Sequence, residues 1–495
     1  MGNPDPVDLI CTETQRLPFK SSGLSRSTWK DSFRSWPSSV PGWCEWYERV
    51  RSSKIGEWEN LGIAHCLRFS LVDIGKNESL LSAASYLWSD ALNAFLFGHG
   101  PMTPTLLDVK AFTDLDITST ASPGSLQLAT THRLDTRSMG WKKYITQFHR
   151  TGTVTPREHT AFLMMWLDHF LFCGVSVSPT TSFQHIAEIL VKGIKIPLGK
   201  YLLGALYHTL HQASVKLRSF SPVGNLGGPW WLLQMWLHLH LNSAMDRPLL
   251  LSRRFPDGTT EDRVCESIGE ALVVIPGSAP SDDLMAATFR ILYKGIAHNR
   301  LSWFPYNKPE YLGFFTVPSS FRANEPLKDA ESAAILLAYI RPCYLPTGLY
   351  RPRIQNSYEF YYPNVAARQL GFGQLPIGLF YADKAKARCT VSTPLEYNWL
   401  SGLNENLPMG DFDDIILVSS STKLFAMWWA EWSRHLFCNN TASHFTHLEL
   451  QEPSAEVKSF LLCRFFLIDL VFPINFFLLC VSLIPKIPHR RRAAV

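Results

Sequence analysis

The side chains able to do chemistry fall into a few sets. His208 and His211 stand three apart on one helical face, and His238 and His240 stand two apart in another apolar run. A zinc site needs a third ligand and outer partners that orient it, and no H-E-x-x-H string accompanies these residues. They read as polar residues edging core helices. Asp168 and His169 set a carboxylate beside an imidazole. Neighbours on a helix point about 100° apart, so neither orients the other within one helix. Gly371-Phe372-Gly373 is followed by Pro376 where a dinucleotide loop needs its third glycine, and no strand-to-helix context surrounds it. It reads as a turn after a helix. Arg253 and Arg254, with Arg247 and Arg263 nearby, offer a basic patch for phosphate, although a solvated loop is the plainer reading. No catalytic constellation and no cofactor site emerge from these sets, and none is expected.

The elements that would carry such residues centre on Thr155–Leu241. Thr155-Pro156-Arg157-Glu158 has the form of a capping box with proline at the first helical position. Thr181-Ser182-Phe183-Gln184 repeats that form before Ile186, Ile189 and Leu190. Pro197 leads into a third helix, and Pro229 opens a fourth, Trp230 to Leu237. Each is apolar over a wide face, so the four must bury one another. Upstream, Trp43 to Leu71 and Leu80 to Leu92 show helical spacing. Ala94 to Thr105 reads as a hairpin around Gly98-His99-Gly100, after which Thr105 can cap a helix carrying Leu106, Asp108 and Val109. Helices are also expected at Trp141–Phe148, Asp262–Val274, Ser281–Ile296, Ala330–Tyr339, Val365–Leu370 and Leu424–Phe437.

Bulk properties agree with a large core. Of 495 residues, 46% are hydrophobic and 13% aromatic, which excludes a disordered chain. The formal charge of +5 permits a nucleic-acid partner without demanding one. The ten cysteines form no C-x-x-C pair, and the N-terminus lacks the apolar run of a signal peptide, so a reducing compartment is expected. Residues 1–40 read as a flexible leader, 41–450 as one large globular domain, and 451–495 as an apolar tail with a basic end. Phe460 to Ile484 is long enough to span a membrane, and the arginines after it suit a cytosolic end. Asp469 opposes that reading, because a carboxylate inside a span costs about 2.5–3.5 kcal/mol. A membrane anchor through 460–484 and a buried tail both stay open.

Four strings, taken in order, resemble a known family. They are Phe97 to Val109, Glu158 to Leu167, Gly227 to Leu237 and Val365 to Gln374. The family-motif positions are Gly100, Met102, Thr103, Thr105, Leu106, Asp108, Val109, Glu158, His159, Trp166, Gly228, Pro229, Trp231, Leu232, Gln234, Trp236, Arg368, Gln369 and Gly371. Together they resemble the plant mobile domain, also called aminotransferase-like, of the "maintenance of meristems"-like proteins, over about Trp43 to Leu450. The resemblance implies a mainly α-helical fold with small β-hairpin elements. It also implies a nuclear, non-enzymatic interaction protein shared with transposable elements and linked to transposon silencing, gene-expression control and meristem maintenance. Its implied partners are proteins of nuclear silencing complexes, among them a plant protein phosphatase of the "phosphatase seven" type, which here would be a separate chain. No lysine sits in a recognisable pyridoxal-phosphate setting, so the aminotransferase label implies no activity. A transposon-derived nucleic-acid-binding protein and a tail-anchored membrane protein are the alternatives.

Overall fold

The computed structural model describes residues 24–120, 131–241, 253–256, 262–297, 301–307, 330–347, 358–378 and 419–436. The fold is mainly helical, with short and mostly antiparallel strand pairs. In chain order, α1 (Trp43–Leu61), α2 (Ala64–Arg68) and α3 (Glu78–Ser85) lead into a three-stranded sheet. Its strands are β1 (Trp88–Ser89), β2 (Ala94–Phe97) and β3 (Gly100–Met102). Then come α4 (Leu106–Thr113), α5 (Trp141–Phe148), α6 (Pro156–Met165), α7 (Gln184–Val191), α8 (Leu198–Arg218) and α9 (Trp230–Leu241). The pair β4 (Arg254–Phe255) and β5 (Arg263–Val264) precedes α10 (Ile268–Val273), α11 (Asp282–Lys294) and α12 (Ala330–Ile340). The described chain closes with the hairpin β6 (Cys343–Pro346) and β7 (Tyr358–Tyr361), a 3-10 helix Pro363–Leu370, the parallel pair β8 (Gly373–Gln374) and β9 (Ser420–Ser421), and α13 (Lys423–Leu436).

The helix starts follow the sequence in part. Thr155 accepts from the Glu158 N–H at 3.2 Å with Pro156 at the first position, yet the Glu158 carboxylate turns away to Arg49 instead of reaching back. The second expected box does not form. α7 begins without a side-chain cap, because Thr181 offers only its carbonyl and Gln184 spends its amide on Glu188 and the His132 carbonyl. The helix expected over 80–92 stops at Ser85. Trp88 instead pairs with Phe95, so the backbone there joins the sheet. Residues 24–40, expected in the leader, are built into the core. Trp29 and Phe33 are buried with their rings edge-on to Trp230, at 6.2 and 5.2 Å between centroids. Residues 1–23 and the apolar tail 451–495, with its expected span at 460–484, lie outside the described residues. Among the described residues no helix is long and apolar enough to cross a membrane.

The core is aromatic to an unusual degree. Phe162 of α6 is stacked by Trp43 at 4.7 Å and by Trp58 at 5.4 Å, which fastens α1 to α6. Trp231 donates from Nε1 to the Leu171 carbonyl at 2.9 Å, where α6 has run on into a π-helical turn that starts at Trp166. Trp236 stacks on Phe95 of the sheet at 5.4 Å. Burying rings of this size stabilises by a few kcal/mol each. The result is a helical shell closed around the small sheet, with α9 against both.

Candidate functional site

Asp108 is the point where three elements meet: α4, α9 and the turn that carries Tyr306. It is 1% exposed and stands in the first turn of α4. Its Oδ2 accepts from the Thr105 N–H and hydroxyl at 2.7 Å each, while Thr105 Oγ1 accepts from the Asp108 N–H at 3.2 Å. This is a complete capping box. The other oxygen, Oδ1, accepts from the Tyr306 hydroxyl at 2.5 Å and from His240 Nε2 of α9 at 3.2 Å. A carboxylate beside an imidazole is a familiar catalytic pairing. Here His240 is fully buried and rests against Trp236 at 5.3 Å.

The hairpin motif and the 3-10 motif, far apart in sequence, close on each other beside Asp108. Gln369 accepts from the Thr103 N–H at 2.8 Å and donates to the Thr103 carbonyl at 3.0 Å, as a strand neighbour would. Thr103 Oγ1 lies 2.7 Å from the Asn93 carbonyl and 2.9 Å from the Tyr207 hydroxyl, and Tyr207 donates to the Pro104 carbonyl at 2.7 Å. Burial pushes the Tyr207 phenol well above its usual range. Arg368, 2% exposed, lays its guanidinium 3.4 Å from the Trp303 ring centre and 4.9 Å from that of Phe425. Burial draws that guanidinium down to about 9, and the two rings supply the attraction that a carboxylate otherwise would. Gly100 makes room for it. With φ at +131°, a Cβ there would stand 2.3 Å from Arg368 Nη2. Gly371 ends the 3-10 helix.

The remaining motif residues are structural in the same sense. Gly228 has φ +92°, and a Cβ would meet Thr209 Oγ1 at 2.0 Å, so only glycine lets the chain enter Pro229 and α9 this close to α8. Gln234 accepts from the Asn77 N–H at 2.7 Å and donates to the Gly75 carbonyl at 2.6 Å. Met102, Leu106, Val109, Trp166, Trp231, Leu232 and Trp236 are buried. Glu158, 2% exposed, pairs with Arg49 through both oxygens at 3.0 and 3.1 Å and accepts from Trp46 Nε1 at 3.2 Å. His159 accepts from Trp58 Nε1 at 3.0 Å, which leaves its proton on Nδ1, and burial pulls its pKa down to about 4.

The other sequence candidates separate. His208 faces Glu359 at 3.4 Å and His211 faces Asp90 at 3.7 Å, a different carboxylate each. His238 is buried in α9. Asp168 accepts from the Thr180 N–H and hydroxyl at 3.2 and 2.7 Å, whereas His169 bonds the Ser38 carbonyl at 3.0 Å, so the adjacent pair does not act together. Among the described residues no group of three or more His, Cys, Asp or Glu could hold a metal ion. Arg253 donates to the Val274 carbonyl at 3.2 Å, Arg254 to the Asp262 carbonyl at 2.6 Å, and Arg263 to both oxygens of Glu270. Arg247 lies outside the described residues. Gly373 and Gln374 form β8, as a turn after a helix permits.

Sequence reasoning missed His240 and Tyr306 as donors to Asp108, Tyr207 as the donor to the Pro104 carbonyl, and Arg49 as the partner of Glu158. A polar group set inside a largely apolar helix, as Tyr207 and His240 are, was the available signal.

Comparison of the chain with curated proteins and with solved structures returns no match. The family model described as "Plant mobile domain" matches residues 62–430. That span takes in all four motifs and the Asp108 junction, and the chain therefore belongs to the plant mobile domain family.

Proposed function

We propose that this chain is a non-enzymatic protein-interaction module of plant nuclear complexes that act in transposon silencing, gene-expression control and meristem maintenance. Family membership supports the reading. The observation that carries it is the direction of the polar motif residues. Asp108, Glu158, Gln234 and Gln369 all face inward, and each spends its hydrogen-bonding groups on the fold. Buried polar networks of this kind hold a unique packing, which leaves recognition to the surface. Direct nucleic-acid binding draws less support, because the guanidinium groups of Arg253, Arg254 and Arg263 are engaged within the protein.

The test is affinity purification of the tagged full chain from plant nuclei, followed by mass spectrometry. Nuclear silencing proteins should co-purify, with a phosphatase of the "phosphatase seven" type among them. A tagged chain that stays outside the nucleus, or enters it and retains no protein above the untagged control, would overturn the proposal.

A further inference from the structure

A cleft of about 340 Å³ opens between α1 and α2, lined by Tyr47, Arg51, Glu59, His65, Arg68 and Asp114, among others. That volume lies within the range of small-molecule sites, about 300–1,000 Å³. Tyr47 and Arg51 are four apart on α1, hence on one face, and Arg68 closes α2 opposite them. The Tyr47 ring is buried, and among the described residues its hydroxyl has no hydrogen-bond partner. Burial pushes that hydroxyl up to about 12 against the opposing charges of Arg51 and Arg68, and keeps it a donor at neutral pH.

Arg68 is held in place from behind. Its Nη2 donates to His65 Nδ1 at 3.0 Å, since a guanidinium has no acceptor. The His65 proton therefore sits on Nε2, facing the Phe112 carbonyl at 3.2 Å and Ser267 Oγ at 3.1 Å. Burial and the Arg68 charge hold His65 below its usual range, so it is a neutral strut. Among the described residues Arg68 Nε is buried without a hydrogen-bond partner. Its nearest carboxylate, Glu270 at 3.8 Å, is already bound at 2.6 Å by Arg263. Among the described residues Arg51 has only an exposed pair with Glu48 at 3.2 Å. On the acidic side, Lys110 binds the Asp114 carboxylate at 2.6 Å. Glu59 is eight residues from Arg51, about 12 Å along the helix axis.

We propose that the basic end of this cleft binds a phosphate group, as the free ion or as a small monoester, through Tyr47, Arg51 and Arg68. Two guanidinium groups from two helices and a phenol offer more donors than one carboxylate accepts, and the extra oxygens and charge of a phosphate can serve them all. A monoester would turn its remainder toward Glu59, which favours a cationic or hydroxylated tail.

The experiment is calorimetric titration of the full chain with inorganic phosphate and with O-phosphoethanolamine, at an ionic strength held constant with chloride. Tyr47→Phe keeps the buried ring and removes only the hydroxyl, and Arg51→Gln removes a charge at the surface, so both variants should melt as the wild type does. Arg137→Gln, at an exposed pair with Asp135, is the control. One saturable site per chain is expected, weakened about tenfold or more by each cleft substitution and unchanged in the control. Tighter binding of O-phosphoethanolamine assigns the site to an ester, and tighter binding of inorganic phosphate to the free ion. A titration that does not saturate, or one that survives either cleft substitution unchanged, overturns the proposal.

Discussion

Asp108→Asn keeps the size of the side chain and removes its charge. In the wild type, Oδ2 serves the two Thr105 donors, and Oδ1 serves Tyr306 and His240. Asparagine has one carbonyl oxygen, so its NH2 group must confront whichever pair the oxygen does not serve. Retaining the cap of α4 would set that group against the Tyr306 hydroxyl and the His240 ring. Each hydrogen bond to a charged acceptor contributes about 1.5–3 kcal/mol, and a buried donor left unpaired costs about 1–3 kcal/mol. Tyr306 can recover part of the loss by rotating its hydroxyl to accept from the amide. A net destabilisation of about 3 kcal/mol results. Urea unfolding followed by tryptophan fluorescence should show a lower midpoint with an unchanged slope. Asp114→Asn is the comparison, at the opposite end of the same helix, where the exposed Asp114 carboxylate pairs with Lys110. Its loss should stay within about 1 kcal/mol. If the two variants unfold at the same urea concentration, the Asp108 junction does not hold the fold together and the reasoning fails.

Gly100→Ala should destabilise by about 2 kcal/mol or more through its left-handed φ and its encounter with Arg368. Gly56→Ala, where a Cβ meets nothing within 4 Å inside α1, should raise the melting temperature slightly. Glu158→Ala leaves Arg49 unpaired in a half-closed site and should cost about 3 kcal/mol. A double-mutant cycle with Arg49→Met should show coupling above about 1 kcal/mol, and additivity would refute the pair. Two buried groups give stability opposite pH dependences. Burial raises the Asp168 carboxyl from 3.8 to about 7, so its contribution is full below pH 3.8 and is lost as pH rises through about 7. Burial lowers His159 from 6.5 to about 4, so its contribution is full above pH 6.5 and is lost as pH falls through about 4. In urea midpoints measured against pH, Asp168→Asn should remove the first slope and His159→Gln the second. Parallel profiles for variant and wild type would contradict either assignment.

The sequence by itself determined the helical class, the starts of α4, α6, α9 and α11, the hairpin around Gly98 to Gly100, and the family. Those features are local: a cap, a proline or an apolar period acts within one or two turns, so spacing along the chain is enough to read them. It misjudged Trp88, because a residue of good helical spacing can be claimed by a strand partner that only the folded chain brings near. It also placed Trp29 and Phe33 in a leader, because burial against Trp230 is invisible until α9 is in place. Tertiary structure alone decided what the motif residues are for. Gly100 is glycine because of Arg368, Thr103 is bonded by Gln369, and Asp108 is shared by Tyr306 and His240, all partners more than 100 residues away. Closing such loops costs chain entropy that only the assembled core offsets, which is why no local pattern announces them.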